Sequence, residues 1–514
     1  MSLPEVVIVS AARTPIGKFL GALSELSAAD LGAAAARAAI ERTGSPELAR
    51  QIDLTVIGCG RQAGSGPNVA RQISIRAGIP QEVPAYTVNM ACASGLLAIV
   101  QGMEAIQLGR ARAVLVGGSE SMSRLPFFLD RFRTGYRLGN ARVVDGMYHD
   151  GFHDPIADMV MGETAEKLAR IYGISREEQD QYALRSQQRA EAAIKGGRFE
   201  AEIVPVEVPG KGGPTLVATD EHPRFGATLE SMAKLPPVFA KDGTVSAGNS
   251  SGITDGACAL VLMERRIADE WGLKPLALIG NYTMAGVEPS IMGIGPVPAI
   301  RELERRTGRR LADYDLVELN EAFAAQVLAC DRDLHFDHDR LNVNGGAIAL
   351  GHPIGCTGAR IATTLIYEMQ RRDVEWGLAT LCVSGGQGMA VEFRRVLAVL
   401  IDRTQQDGVL TLTLNRPQAL NALSLAAWAE LEQAIAYARD DDNVRALLIT
   451  GAGKAFSAGG DIKEMRPDRT SAEQRERLRL INRTILALYR LEKPTIAAVN
   501  GGRRRQRLLA GALL

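Results

Sequence analysis

No stretch of the 514 residues is apolar for long enough to span a bilayer, so no transmembrane helix is expected. The first fifteen residues lack a basic region followed by an apolar run, so no secretory signal is expected either. The formal net charge is zero, which gives no case for nucleic acid or an anionic membrane surface as partner. The six cysteines (59, 92, 258, 330, 356, 382) are scattered without close pairs, which argues against a disulfide framework and for a reducing, cytoplasmic compartment. Neither a Walker-type loop nor a G-x-G-x-x-G set between an early strand and helix is present, so a nucleotide cofactor is not indicated. Aromatics are scarce at 5%, while Gly is plentiful, a mix suited to tightly packed α/β layers.

Apolar and small residues then alternate in a regular way. Val6–Thr14 begins as a continuous apolar strand of the kind buried in a central sheet. Strands at 54–58, 85–88 and 113–118 alternate with helices at 29–42, 68–77 and 94–108. Residues 119–248 are polar and broken by Gly and Pro, with helices such as 176–194, and read as a loop subdomain over one end of the sheet. The first pattern returns with strands at 256–263, 275–282, 315–319 and 377–383 and a helix at 357–368. Both parts hold a strand, a small-residue turn, a helix and a strand ending in Gly-Gly, which suggests an internal duplication. A third pattern follows, with strands at 396–401, 409–414, 446–450 and 495–499 and helices at 425–439 and 471–491. The expected division is 1–270 (loop subdomain about 119–248), 271–394 and 395–514.

Four stretches are candidates for chemistry. Cys92 sits where strand 85–88 turns into a helix, with Ala91, Ala93, Ser94 and Gly95 leaving access to the sulfur. Free N–H groups and the positive helix end favour a thiolate there; the plainer reading is a buried core cysteine. His352, flanked by Gly351 and Pro353, can serve as a general base on a thiol or hydroxyl, or be a loop histidine bonded to backbone. Cys382 ends an apolar strand before Ser384-Gly385-Gly386, as a second reactive thiol or as core. The amide of Asn320, in Asn320-Glu321-Ala322-Phe323, can hold a water or donate to an oxyanion. Two cysteines and a histidine at strand exits make a stronger joint case than any one alone. His149, Asp150, His153 and Asp154, and likewise His335, Asp337, His338 and Asp339, carry metal-ligating groups at short spacing, yet such clusters are common in solvated loops, and no metal is expected.

Taken together, Val88-Asn89-x-x-Cys92-Ala93-Ser94-Gly95, Gly117-Gly118-Ser119-Glu120-Ser121-Met122-Ser123, Ser246-Ala247-Gly248-Asn249-Ser250-Ser251-Gly252, Asn320-Glu321-Ala322-Phe323, Asn344-Gly345-Gly346 through Gly351-His352-Pro353, and Cys382-x-x-Gly385-Gly386 resemble the motif series of thiolases, in order, over about residues 4–394. Asp220-Glu221-His222 and residues 289–298 resemble the degradative β-ketoacyl-CoA thiolases of fatty acid β-oxidation. The resemblance implies a layered αβαβα fold of two duplicated halves. It implies that Cys92 is acylated, that His352 takes its proton and that Cys382 is the acid/base for the acetyl-CoA enolate. Asn320 would hold a water that stabilises the enolate oxygen with His352, the N–H groups of Cys92 and Ser384 would form a second oxyanion hole, and Arg224 and Ser251 would contact CoA. Acyl-CoA and CoA are then the partners, CoA being a co-substrate and no cofactor being needed, in a homodimer or homotetramer. Ser384 stands where the family usually has Gly, and Val160 stands where short-chain acetoacetyl-CoA thiolases carry His, which leans towards broader chain length. A decarboxylating ketoacyl synthase would need His in place of Cys382. A non-catalytic acyl-CoA-binding relative is the alternative that the Cys92, His352 and Cys382 set weakens.

The tail is similar to a second family. Leu414-Asn415-Arg416-Pro417-x-Ala419-Leu420-Asn421, Ala455-Phe456-Ser457-Ala458-Gly459-Gly460-Asp461 and Lys493-Pro494-Thr495-Ile496-Ala497-Ala498-Val499-Asn500-Gly501 resemble the first part of an enoyl-CoA hydratase (crotonase) domain, with Gly460 as one oxyanion donor. That family's second donor loop and catalytic glutamates are not matched. The Arg503–Arg507 run reads as a shifted frame, so a truncated fragment without hydratase activity is expected.

Overall fold

The computed structural model describes residues 3–45, 47–396, 399–464 and 471–501. Two compact units emerge, Met1–Val396 and Leu397–Leu514. The Arg503–Arg507 run lies outside the described residues.

The first unit is built on one long sheet. Its main strands in chain order are β1 (Val6–Arg13), β2 (Leu54–Gly58), β3 (Ala85–Val88), β4 (Ala113–Ser121), β5 (Thr254–Glu264), β6 (Ala277–Gly286), β7 (Leu316–Leu319), β8 (Trp376–Val383) and β9 (Gln387–Arg395). They lie in the order β7-β8-β9-β6-β1-β5-β4-β2-β3. The two halves join through a short antiparallel pairing of β1 with β6 at Val7–Leu278 and Ile8–Ala277. Outward from that join the pattern repeats. Two antiparallel neighbours come first, then a parallel one (β4 with β2, β8 with β7). Beyond β7, Leu341 pairs in parallel with Val317, the place that β3 takes in the first half. The duplication suggested by the sequence is thus present in the topology.

Continuous apolar strands are needed because both faces of this sheet are covered. Alternate residues point to opposite sides. Val6, Ile8, Val114, Val116, Leu260 and Leu262 join one core, and Val7, Val9, Leu115, Val261 and Met263 another. The first core holds the helices Ser94–Gln107 and Ile354–Arg372, which fill the centre between the two halves. The second is closed by the helix Ala28–Glu41, started by a Ser27–Asp30 capping box. On the other half, Leu378 and Ala390 meet the outer helix Pro296–Thr307. Helix, the first half of the sheet, helix pair, the second half of the sheet and helix make five layers.

The central helices cross at van der Waals limits. A Cβ on Gly95 would lie 2.7 Å from the Ala359 nitrogen, and one on Gly358 2.4 Å from the Leu96 nitrogen. The same crowding explains a difference from the sequence reading. Gly117-Gly118 was expected to end β4, yet the strand continues to Ser121. The glycines make room, since a Cβ on Gly118 would lie 2.0 Å from the Gly355 carbonyl oxygen.

Between β4 and β5 run two small ribbons, the helices Met161–Tyr172 and Arg176–Lys195, and a hairpin. Glu321 pins this region to the sheet end. Its buried carboxylate accepts from Tyr182 Oη (2.9 Å), Ser186 Oγ (2.6 Å), Asn342 Nδ2 (3.0 Å) and the Ile348 N–H (3.2 Å).

The second unit has a four-stranded sheet of β10 (Ile401–Gln406), β11 (Val409–Leu414), β12 (Ala446–Gly451) and β13 (Thr495–Ala498), in that order. Helices Leu425–Asp440 and Ser471–Tyr489 connect its three parallel strands. Its own core includes Leu412, Trp428, Leu431, Leu447, Ile449 and Phe456. The apolar run 396–401 was expected to be its first strand, but that strand runs from Ile401 to the polar Gln406. The tight turn at Asp407 and Gly408, both at positive φ, sets the register Gln406–Val409 through Ile401–Leu414.

Candidate active site

Cys92 lies in a 3₁₀ turn, Ala91–Ala93, between β3 and its helix. The turn is held from both sides. Asn89 accepts from the Ala91 N–H (2.9 Å) and donates to the Gly60 carbonyl (3.2 Å). Ser94 Oγ accepts from the Met90 N–H (2.9 Å) and donates to the Ala91 carbonyl (2.7 Å). These bonds hold Ala91 at φ +43°, a left-handed conformation that a non-glycine residue takes at a cost, directly beside Cys92.

His352 occupies the corresponding turn of the second half, just before the helix Ile354–Arg372. Gly351 precedes it at φ +103°, packed where a Cβ would strike the Thr254 side chain. The His352 N–H donates to the Gly252 carbonyl (3.0 Å). Its Nε2 lies 3.2 Å from Cys92 Sγ, and its Nδ1 lies 2.6 Å from Thr357 Oγ1. Burial, with Arg360 and Arg61 adding to it, pushes the imidazole down to about 3. Burial also raises the Cys92 thiol, outweighing Arg61 and the backbone N–H groups of Ser384 and Cys92, which pull it down. The thiolate expected from the helix end is therefore corrected: the resting pair is a neutral thiol facing a neutral imidazole.

Cys382 is wholly buried at the end of β8, and burial followed by the nearby Cys92 raises its thiol well above the ordinary range. Ser384 follows, then Gly385 and Gly386, both at positive φ. Asp154 Oδ2 accepts the Gly385 N–H (3.0 Å) and so holds the turn from which the Ser384 N–H reaches the Cys92 sulfur. Asp154 was a candidate metal ligand in the sequence; its oxygens are spent on this turn and on the Ile156 N–H. Of the other such candidates, His153 pairs with Asp158 and His338 with Asp331 and Arg185.

A cavity of about 700 Å³ brings Cys92, His352, Cys382 and Ser384 together with Arg224 and Ser251. Val160, Met161, Phe239, Met292 and Phe323 give it an apolar wall, and the exposed Lys18 and Arg224 give it positive charge. Asn320 does not line this cavity. Its backbone N–H donates to the Thr380 carbonyl (3.0 Å), while its buried side-chain amide makes no hydrogen bond among the described residues.

Three supporting residues escaped the sequence reading of roles. Glu120, wholly buried, accepts from the N–H groups of Gly60 (2.9 Å), Arg61 (3.0 Å) and Gly355 (2.8 Å) and so ties the loop after β2 to the helix that follows His352. An acid inside the small-residue run Gly117–Ser121 was its one signal. Arg61 lines the cavity and donates to the Gly151 carbonyl (3.0 Å). Thr357, a hydroxyl in the first helical turn after His352, is the third.

Among the described residues no group of three or more His, Cys, Asp and Glu side chains is placed to hold a metal ion, and no helix is long and apolar enough to cross a membrane. Residues 6–266 match the family model of the thiolase N-terminal domain and residues 273–395 that of the thiolase C-terminal domain. Residues 404–503 match the enoyl-CoA hydratase/isomerase model. The chain is 52% identical to an acetyl-CoA acetyltransferase of Pseudomonas aeruginosa over 394 residues, 76% of this chain and 100% of that protein. It is 50% identical to an acetyl-CoA acetyltransferase of Cupriavidus necator over 395 residues, again 76% of this chain and 100% of that one. Among solved structures, the Bacillus anthracis acetyl-CoA acetyltransferase superposes with a TM-score of 0.75 at 44% identity, covering 77% of this chain and 100% of that one. Human mitochondrial 3-ketoacyl-CoA thiolase in complex with CoA does so at 0.74 and 43%, covering 77% and 98%. The chain belongs to the thiolase family, with an enoyl-CoA hydratase/isomerase region after its thiolase part.

Proposed function

We propose that the first unit is a β-ketoacyl-CoA thiolase acting through an acyl-enzyme on Cys92. The observation that carries this reading is the 3.2 Å contact of Cys92 Sγ with His352 Nε2, in one cavity with Cys382 and Ser384. Nε2 takes the thiol proton as sulfur attacks the β-keto carbonyl of the substrate. The N–H groups of Cys92 and Ser384 are donors for the oxyanion that forms. The Cα–Cβ bond then breaks and its electron pair passes to the acetyl-CoA enolate. Cys382, kept protonated by burial, gives its proton to that carbon. The CoA thiol next attacks the Cys92 thioester, giving its proton to the Cys382 thiolate while His352 returns a proton to the departing Cys92 sulfur, which yields an acyl-CoA two carbons shorter and restores both thiols. In reverse, the same groups condense two acetyl-CoA molecules. The unpaired amide of Asn320 suits a water that stabilises the enolate oxygen with His352.

Arg224 and Ser251 are the proposed CoA contacts, and acyl-CoA and CoA the partners, in a homodimer or homotetramer. Val160 and the apolar wall of Met161, Phe239, Met292 and Phe323 favour acyl chains longer than acetyl, as in fatty acid degradation. The test follows the loss of acetoacetyl-CoA and β-ketooctanoyl-CoA on adding CoA, with Cys92→Ser alongside. Both substrates should be cleaved, and the variant should lose on the order of 10³-fold or more. Cleavage of acetoacetyl-CoA alone would overturn the chain-length reading, and wild-type turnover by the variant would overturn the mechanism.

A further inference from the structure

A base that takes the Cys92 proton through Nε2 must keep its own ring proton on Nδ1. A neutral imidazole has two tautomers, and the other one presents an N–H, not a lone pair, to the sulfur. Burial strips water from the ring, so the partner of Nδ1 decides between them. That partner is Thr357 Oγ1, at 2.6 Å.

A hydroxyl can accept or donate, so the direction of this bond depends on where the threonine proton goes. Oγ1 lies 3.2 Å from the Pro353 carbonyl oxygen, four residues earlier, with the donor geometry that threonine adopts inside a helix. With its proton on that carbonyl, Oγ1 offers only lone pairs to the ring. Nδ1 must then donate, and Nε2 faces Sγ at 3.2 Å as an acceptor. Thr357 is wholly buried and β-branched, so few rotamers are open to it.

We propose that Thr357 is the positioning residue of the catalytic base: its hydroxyl oxygen selects the Nδ1–H tautomer of His352 and fixes the ring plane towards Cys92. The inference rests on His352 being that base. Its logic also explains why a hydroxyl stands there and not a carboxylate. The charges of Arg360 and Arg61 add to burial in keeping the ring neutral, and a neutral partner orients the imidazole without drawing a resting proton onto Nε2. When the thiol proton reaches Nε2, the ring becomes positive and the Nδ1–H to Oγ1 bond strengthens. No proton passes to Thr357.

The test compares the full-length wild type with Thr357→Val and Thr357→Ser. Valine keeps the shape and removes the acceptor; serine keeps the acceptor. In Thr357→Val, thiolysis kcat should fall about 10- to 100-fold, as for loss of a partner that orients a reacting group. KM for CoA should stay within about twofold, since Thr357 does not line the cavity. Alkylation of Cys92 by iodoacetamide should slow in parallel, and Thr357→Ser should recover most of both rates. Nitrogen-15 NMR of labelled histidine, with His352 assigned by its loss in His352→Ala, should show the proton on Nδ1 in the wild type and its redistribution in the valine variant. A wild-type ring protonated on Nε2 overturns the proposal on its own, even where Thr357→Val fails to fold. Equal losses in Val and Ser with an unchanged tautomer also overturn it, as do wild-type rates in Thr357→Val while His352→Ala is inactive. An active His352→Ala would instead remove the reading of His352 as base.

Discussion

A buried imidazole pushed down to about 3 beside a thiol pushed up leaves the resting site without an ion pair. Charge separates only when the proton moves, with oxyanion donors in place to meet the charge that follows. The same shift has a consequence for stability. The unfolded chain begins to protonate His352 near its ordinary 6.5, while the folded chain does so only near 3. The group therefore costs stability as pH falls through that window, and none above it. Relative to its value at pH 8, the stability of the wild type should drop at pH 5 by about 2 kcal/mol more than that of His352→Gln, which lacks the titrating group. Urea unfolding of both proteins at the two pH values measures this. Parallel pH dependences would mean that the ring is charged in the folded protein.

At the scale of elements, the small-residue turns were legible because a strand that stops and a helix that starts leave local signals. Cys92 and Cys382 stand at strand exits as those signals indicate, whereas His352 follows the short helix Ala347–Leu350 and the turn at Gly351, not a strand. Thr357, Glu120 and Asp154 were not legible, because each acts on a segment distant in sequence or through one bond among many polar possibilities. The helix-end field at Cys92 could be read locally; the burial that outweighs it comes from packing against residues distant in sequence, such as Met122, Met147 and Ile354. Strand limits failed where packing overrode composition, as at Gly118, a sheet residue because the Gly355 backbone passes over it. The helix crossing behind the site carries a sharper expectation. Gly358→Ala gains helix propensity of about 1 kcal/mol but drives a Cβ to 2.4 Å from the Leu96 nitrogen. Backbone cannot yield there without moving Cys92 four residues upstream, so a net loss of about 1–3 kcal/mol is expected. Its urea midpoint should fall and its turnover with it. A variant as stable as the wild type would mean that the helices do not meet this closely.

At the scale of the molecule, the site exists because two similar halves meet. One half supplies Cys92 at its strand–helix turn, the other supplies His352 in the loop before the equivalent helix and Cys382 at the end of β8. The Pseudomonas aeruginosa and Cupriavidus necator relatives are covered to their full length by about three quarters of the chain, so the thiolase part corresponds to a whole protein in each of them. In the proposed reaction Cys92 carries the acyl group between the two substrates. The most direct measurement mixes the full-length chain with acetoacetyl-CoA in the absence of CoA, quenches with acid, and determines the intact mass and the modified peptide. One acetyl group is expected, on the peptide that contains Cys92, absent in Cys92→Ser. An unmodified chain that still releases acetyl-CoA, or an acetyl group on Cys382, would contradict that role of Cys92.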